Sequence, residues 1–196
     1  MFFTQKIHPM KILKIVGIII VALVALVLVA GLIAPKAFNV NRSIVIKTSP
    51  ETAFKAVSTF EQFNKWNPWN KLDSNAVVTL EGTDGTIGAK RSWKGNSQVG
   101  EGSMTLTKAE PNKSTEYSLD FLKPFKAHNI GYMILETVEG GEKVTWGMKG
   151  KMPFPMNAML LVMNMDKEGG KDFEEGLANM KVLCESSAPE SKEVVQ

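Results

Sequence analysis

Residues 99–151 read VGEGSMTLTKAEPNKSTEYSLDFLKPFKAHNIGYMILETVEGGEKVTWGMKGK, and their pattern decides the fold. Apolar and polar side chains alternate in runs that are broken at Pro111-Asn112-Lys113, at Lys123-Pro124 and at Gly140-Gly141. Period-two alternation bounded by turn residues predicts strands, here over residues 99–110, 115–122, 125–138 and 143–151. Upstream, Gly82-Thr83-Asp84-Gly85 separates two further runs, 77–81 and 87–93, as a hairpin turn does. Such short connections join antiparallel neighbours, and the absence of a βαβ rhythm excludes a doubly wound parallel sheet. The expectation is one curved antiparallel sheet of about six to seven strands in an α+β chain.

Residues 40–47 (VNRSIVIK) supply an earlier strand. Ser49-Pro50-Glu51 then opens a helix, with Ser49 as N-cap, Pro50 in the first turn and Glu51 at the positive end of the dipole. Ala53, Phe54, Ala56 and Val57 form its apolar stripe. A second short helical turn over 60–65 leads into Trp66-Asn67-Pro68-Trp69, a structural corner or a lip over a cavity mouth. At the other end, Pro153-Phe154-Pro155 is a candidate portal loop and introduces a long helix over residues 156–184. Met159, Met163, Phe173, Leu177, Met180 and Cys184 fall along one side of it. Gly169-Gly170 interrupts this helix at about 1 kcal/mol per glycine, so the pair marks close packing, a kink or a local opening. The polar tail, residues 186–196, is expected to be disordered.

Residues 15–34 contain no charged side chain and no polar face. About 20 such residues span the roughly 30 Å hydrocarbon core of a bilayer, so this segment is expected to be a transmembrane helix. It exceeds the roughly 7–15 residues of a signal-peptide core, which favours a retained anchor. Lys6, Lys11 and Lys14 precede it, and Lys36, Arg42 and Lys47 follow. The positive-inside rule then gives a small bias that puts the N-terminus inside and the domain on the outer face. The expected division is a basic segment 1–14, the helix 15–34, a linker 35–39, one domain 40–185 and the tail 186–196. Residues 1–37 carry four lysines and no acid, so the chain's net +3 arises from this segment and the rest is nearly neutral. A nearly neutral domain lacks the footprint of a nucleic-acid binder.

The chain resembles the START-like, birch-pollen-allergen-like superfamily (SRPBCC), in particular its bacterial polyketide cyclase/dehydrase branch. The residues that carry the resemblance are Arg42-Ser43-Ile44-Val45-Ile46 with Ser49-Pro50-Glu51; Trp66-Asn67-Pro68-Trp69; Gly88 to Trp93 with Lys94-Gly95-Asn96; Val99-Gly100-Glu101-Gly102-Ser103-Met104; and Phe173-Glu174-Glu175-Gly176-Leu177 with Met180-Lys181. Together they cover nearly all of residues 40–185. The resemblance implies a helix-grip fold, a sheet wrapped round the long C-terminal helix. It also implies an enclosed apolar cavity that often holds a lipid, a polyketide or a hormone-like molecule. A fold alone implies no reaction.

Side chains for chemistry are sparse. His8 precedes the anchor, and His128 lies on a strand whose facing the sequence does not fix. Asp120 and Glu136 alternate with large apolar residues and are expected to point outward. No His, Cys, Asp and Glu cluster has metal-ligand spacing, and the single Cys184 reads as a core filler. The glycine series at 82, 85, 88, 100 and 102 reads as turn chemistry, so neither metal nor cofactor is expected. The apolar pattern offers more: Met104, Leu106, Tyr117, Leu119, Phe121, Tyr132, Trp146, Met148, Met159 and Met163 are the expected ligand-binding residues. Eleven methionines in 196 residues suit an adaptable lining. The leading expectation is a membrane-tethered, non-catalytic carrier or sensor for a hydrophobic small molecule or lipid. The alternatives are a cyclase, dehydrase or hydrolase using Tyr117, Tyr132 or His128, and a tethered interaction domain with a filled core.

Overall fold

The computed structural model describes residues 9–186. Helix α1 (Pro9–Ile33) is followed by strand β1 (Ala37–Ile46), helices α2 (Pro50–Ser58) and α3 (Phe60–Trp66), and a 3-10 turn at Pro68–Lys71. Six strands come next: β2 (Val77–Glu81), β3 (Lys90–Lys94), β4 (Glu101–Glu110), β5 (Ser114–Lys123), β6 (Ala127–Val138) and β7 (Gly141–Lys151). A second 3-10 helix at Met156–Leu161 precedes the long helix α4 (Met165–Ser186). The expected basic segment lies largely outside the described residues, as does the tail from residue 187.

The chain forms two compact units. One comprises α1, the residues up to Ala37 and Met152–Asn164; the other comprises Phe38–Lys151 and α4.

In the larger unit, seven strands make one open sheet in the order β1-β7-β6-β5-β4-β3-β2, with antiparallel neighbours throughout the β2–β7 meander. The β6–β7 hairpin turns at Gly140 and Gly141, whose φ values of 92° and 138° a side chain would strain. Ser49 caps α2 as expected, its hydroxyl accepting from the Thr52 N–H at 3.3 Å. Helix α3 starts on the Asp84 carboxylate, which accepts from Phe60 N–H at 2.7 Å and Glu61 N–H at 2.9 Å. Two of the donors every helix start leaves unpaired are thereby met from the β2–β3 loop. With β1 at one edge and α2, α3 and α4 on the concave face, this is the helix-grip fold.

Helix α4 lies on the sheet through Phe173, Leu177, Met180 and Cys184, each at most 4% exposed. Its first turns are tied to β1 by Arg42, which donates to Asp166 Oδ1 at 2.7 Å and to Glu174 Oε1 at 2.6 Å. The guanidinium runs directly over Gly170, where any Cβ would collide with it. Close packing, among the three readings of the glycine pair, is what Gly170 provides.

The long helix starts at Met165, later than the sequence pattern implied. Residues upstream belong to the smaller unit, where Asn157 is fully buried and donates through Nδ2 to the carbonyls of Gly31 at 2.7 Å and Ala34 at 3.1 Å. Gly31 lies in the last turn of α1 and Ala34 directly follows it, so neither carbonyl has a partner within the helix. Binding them draws residues 156–161 into a separate 3-10 turn. The Phe154 ring packs on Gly31, with two ring carbons at 3.0 Å from where a Cβ would stand. Helix α1 begins at Pro9, earlier than expected, because Lys11 and Lys14 are good helix formers and extend it past the apolar run. From Met10 to Ile33 it is long and apolar enough to cross a membrane.

Candidate functional site

The concave face of the larger unit encloses a cavity of about 420 Å³, within the range of small-molecule pockets. Its walls come from alternate residues of strands β3 to β7. Arg91 and Trp93 lie on β3, Met104 on β4, Tyr117, Leu119 and Phe121 on β5, and Met133 on β6. Trp146 and Met148 of β7 continue the wall, and Phe63, Trp69, Gly169, Asp172 and Phe173 cover it from the helical side. Gly131 leaves room inside: a Cβ there would point at the Leu119 side chain, 3.0 Å away.

An aromatic cluster closes one side. Trp146 has Phe173 at 4.5 Å, Trp66 at 5.0 Å, Trp69 at 5.6 Å and Phe63 at 6.2 Å between ring centroids. The two tryptophans around Pro68 divide their work. Trp66 is buried and donates its indole N–H to the Ala56 carbonyl at 3.0 Å, a structural corner. Trp69 is half-buried, borders the cavity and donates to Asp172 Oδ2 at 2.9 Å.

Six of the ten expected ligand-binding residues border this cavity: Met104, Tyr117, Leu119, Phe121, Trp146 and Met148. The structure places four elsewhere. Leu106 is fully buried and packs in the solid part of the core. Tyr132 stands on the outer face of β6, where its hydroxyl donates to Asn39 Oδ1 at 2.8 Å. The inward residues of β6 are Asn129, Gly131, Met133 and Leu135, opposite to the expected alternation. Met159 and Met163 lie in the smaller unit and are exposed, because the helix that was to carry them inward starts after them.

The groups considered for catalysis do not converge. His128 is exposed and pairs with Asp120 at 2.8 Å on the outer face. That contact, with further help from Ser118, holds the Asp120 carboxyl below its usual range. Glu136 is outward too, paired with Lys143 at 2.8 Å. Tyr117 is buried and its hydroxyl donates to the Val57 carbonyl. Burial also pushes its ionisation upward, which removes it further from proton transfer. Cys184 is buried in the core, its thiol pushed up to about 11 by burial and by Glu185. Among the described residues, no three of His, Cys, Asp and Glu stand together as metal ligands.

The residue that the sequence reading passed over is Arg91, only 5% exposed yet bordering the cavity. The signal was present: Ala89, Arg91 and Trp93 share one strand face, and a charge between two apolar inward positions is out of place there.

Solved structures share this architecture. The Aha1 dimer from Colwellia psychrerythraea is 21% identical, with a TM-score of 0.54 over 76% of this chain and 96% of that one. The di-domain ARO/CYC StfQ from the steffimycin biosynthetic pathway is 7% identical, with a TM-score of 0.56 over 77% of this chain and 52% of that one. Major latex-like protein 151 from Panax ginseng is 10% identical, with a TM-score of 0.51 over 76% and 99%. At these identities the likeness is one of fold. No curated protein matches the chain in sequence. A family model does, that of polyketide cyclase / dehydrase and lipid transport, over residues 37–185. With the helix-grip sheet on the page as well, this chain belongs to the polyketide cyclase / dehydrase and lipid transport family.

Proposed function

We propose that this protein is a membrane-anchored binder, a carrier or sensor, that holds a lipid-like or otherwise hydrophobic small molecule and performs no chemistry on it. The cavity of about 420 Å³ carries the reading. Close-packed cores leave few voids larger than a water molecule, and a space of this size between aromatic and thioether side chains fits an apolar occupant. Met104, Leu119, Phe121, Trp146 and Met148 are the proposed contacts. The scattering of Tyr117, Tyr132 and His128 favours binding over the enzymatic alternative. A filled-core scaffold accords poorly with the open space.

The anchor is part of the same proposal. Helix α1 is exposed along its apolar length, and the segment packed at its C-terminal end exposes Phe154, Met156, Met159, Leu161 and Val162. Side chains of this kind beside a spanning helix match the interfacial layer of a bilayer. Tethering raises the effective concentration of any ligand dissolved in the membrane. Lys6, Lys11 and Lys14 ahead of the apolar run, against Lys36, Arg42 and Lys47 after it, give the small bias that favours the domain, residues 40–185, on the outer face.

Native mass spectrometry of the detergent-extracted chain, with identification of released lipids, tests the reading. An apolar molecule is expected to co-purify or to load at one per chain. A chain that carries none and accepts none overturns the proposal.

A further inference from the structure

The guanidinium of Arg91 sits on the sheet side of the cavity among Trp93, Met104, Leu119 and Phe121, while Asn67, Asn70, Asp73, Ser74, Gln98 and Asp172 line it elsewhere. Its Nε donates to Asn64 Oδ1 at 2.7 Å. Among the described residues neither Nη makes a hydrogen bond, and no carboxylate pairs with it. The rings of Phe63 and Trp93 face it at 5.5 Å and 5.9 Å, which compensates a cation only weakly. Burial pulls the group down to about 10, which still leaves it charged at neutral pH. Isolated buried charge is expensive, and proteins normally provide a counter-charge.

Among the described residues none of the nearby carboxylates is paired with Arg91. The carboxylates bordering the cavity are Asp73 and Asp172. Asp73 accepts from the backbone N–H groups of Asn75 at 3.0 Å and Asn96 at 2.6 Å, and Asp172 accepts from the Trp69 indole. The Tyr117 hydroxyl is taken by Val57. What remains is the Nη edge of a rigid planar fork, with its partner missing.

Resting on the binding reading above, we propose that Arg91 anchors a carboxylate, so that the ligand is an amphiphile with one carboxylate head and an apolar body. The fork geometry matches two carboxylate oxygens in a bidentate pair. A phosphate dianion fits less well, because one cation balances one charge and Asp73 and Asp172 border the same space. The apolar body then lies along Leu119, Phe121 and Met148.

The test uses the full chain in a neutral detergent, stripped of lipid and offered dodecanoic acid, dodecanol or dodecyl phosphate, with retention read by native mass spectrometry. Dodecanoic acid is expected to bind about tenfold or more tighter than dodecanol. Arg91→Met should abolish that preference while still retaining dodecanol, and Arg91→Lys should restore part of it. Equal binding of acid and alcohol, or a preference unchanged in Arg91→Met, overturns the anchor and leaves the cavity reading standing. Preference for dodecyl phosphate overturns the carboxylate assignment. Failure of all three to bind sinks the binding reading itself. Should Arg91→Met not fold, NMR of isotope-labelled dodecanoate on the unsubstituted chain decides. Its carboxyl is expected to titrate at least about one pH unit below dodecanoate in the empty micelle, and a midpoint at or above the micellar one refutes the pairing.

Discussion

At one end of the concave face, Ile46, Val57, Leu106 and Val144 meet Leu177 and Met180 of α4, with none of the six more than 1% exposed. At the other, Trp69, Trp93, Leu119, Phe121 and Met148 surround open space. Both sets are apolar, so hydrophobicity does not separate the two ends. What separates them is the second layer. Under the C-terminal half of α4, long side chains reach down to the sheet. Over the cavity, the N-terminal half offers Gly169, which has no side chain, and β6 offers Gly131. A helix that fills along half its length and roofs along the other half builds a solid core at one end and leaves apolar surface uncovered at the other. Each 100 Å² of such surface is worth on the order of 2–3 kcal/mol when finally covered.

The sharpest way to break this contrast is at its solid end. Leu177→Ala removes most of a 1%-exposed side chain from under α4 and should lower stability by about 2–5 kcal/mol in denaturant titrations. Phe121→Ala, at the hollow end, should lower it by only about 1 kcal/mol while weakening retention of an apolar ligand. Equal losses at both sites would mean the two ends are packed alike. Gly131→Leu sharpens the contrast from the other side. A Cβ there meets Leu119 at 3.0 Å and 3.5 Å, so the added side chain competes with Leu119 for the space beside it. Ligand retention should fall sharply, with stability lowered by about 1–3 kcal/mol as Leu119 shifts.

The smallest effect concerns the first turns of α4. Arg42 holds the Asp166 carboxyl below its ordinary range through their hydrogen bond. A depressed folded value means that the tie is fully present above the ordinary carboxylate range and is lost as pH falls through the depressed one. Amide exchange near residues 166–170 should quicken on acidification relative to the rest of α4. In Arg42→Gln that pH dependence should vanish.

Much of the fold was legible because local chemistry and tertiary structure agree. Ser49 caps the helix that its position before Pro50 announced, and Gly140-Gly141 turns the hairpin between β6 and β7. Legibility failed where a distant partner decides. Tyr132 looked inward because Ile130, Tyr132 and Ile134 are the bulkier set, yet the inward positions include Gly131, whose lack of a side chain contributes to the cavity. The start of α4 was misplaced because Asn157 is spent on carbonyls of α1 that lie over a hundred residues away. Arg91 was overlooked because two well-separated arginines say nothing by their number. Only the strand face they sit on speaks.

The lone thiol, finally, makes the chain chemically quiet. With Cys184 buried at 2% exposure and pushed up to about 11, a maleimide has almost nothing to react with in the folded protein. A cysteine introduced at an exposed site such as His128 would therefore be the one fast-reacting position. His128→Cys in intact cells should label with a membrane-impermeant maleimide if the domain faces outward, and only after permeabilisation if it faces inward. A residue with no part in binding thus gives the chain a clean reporter of its own orientation.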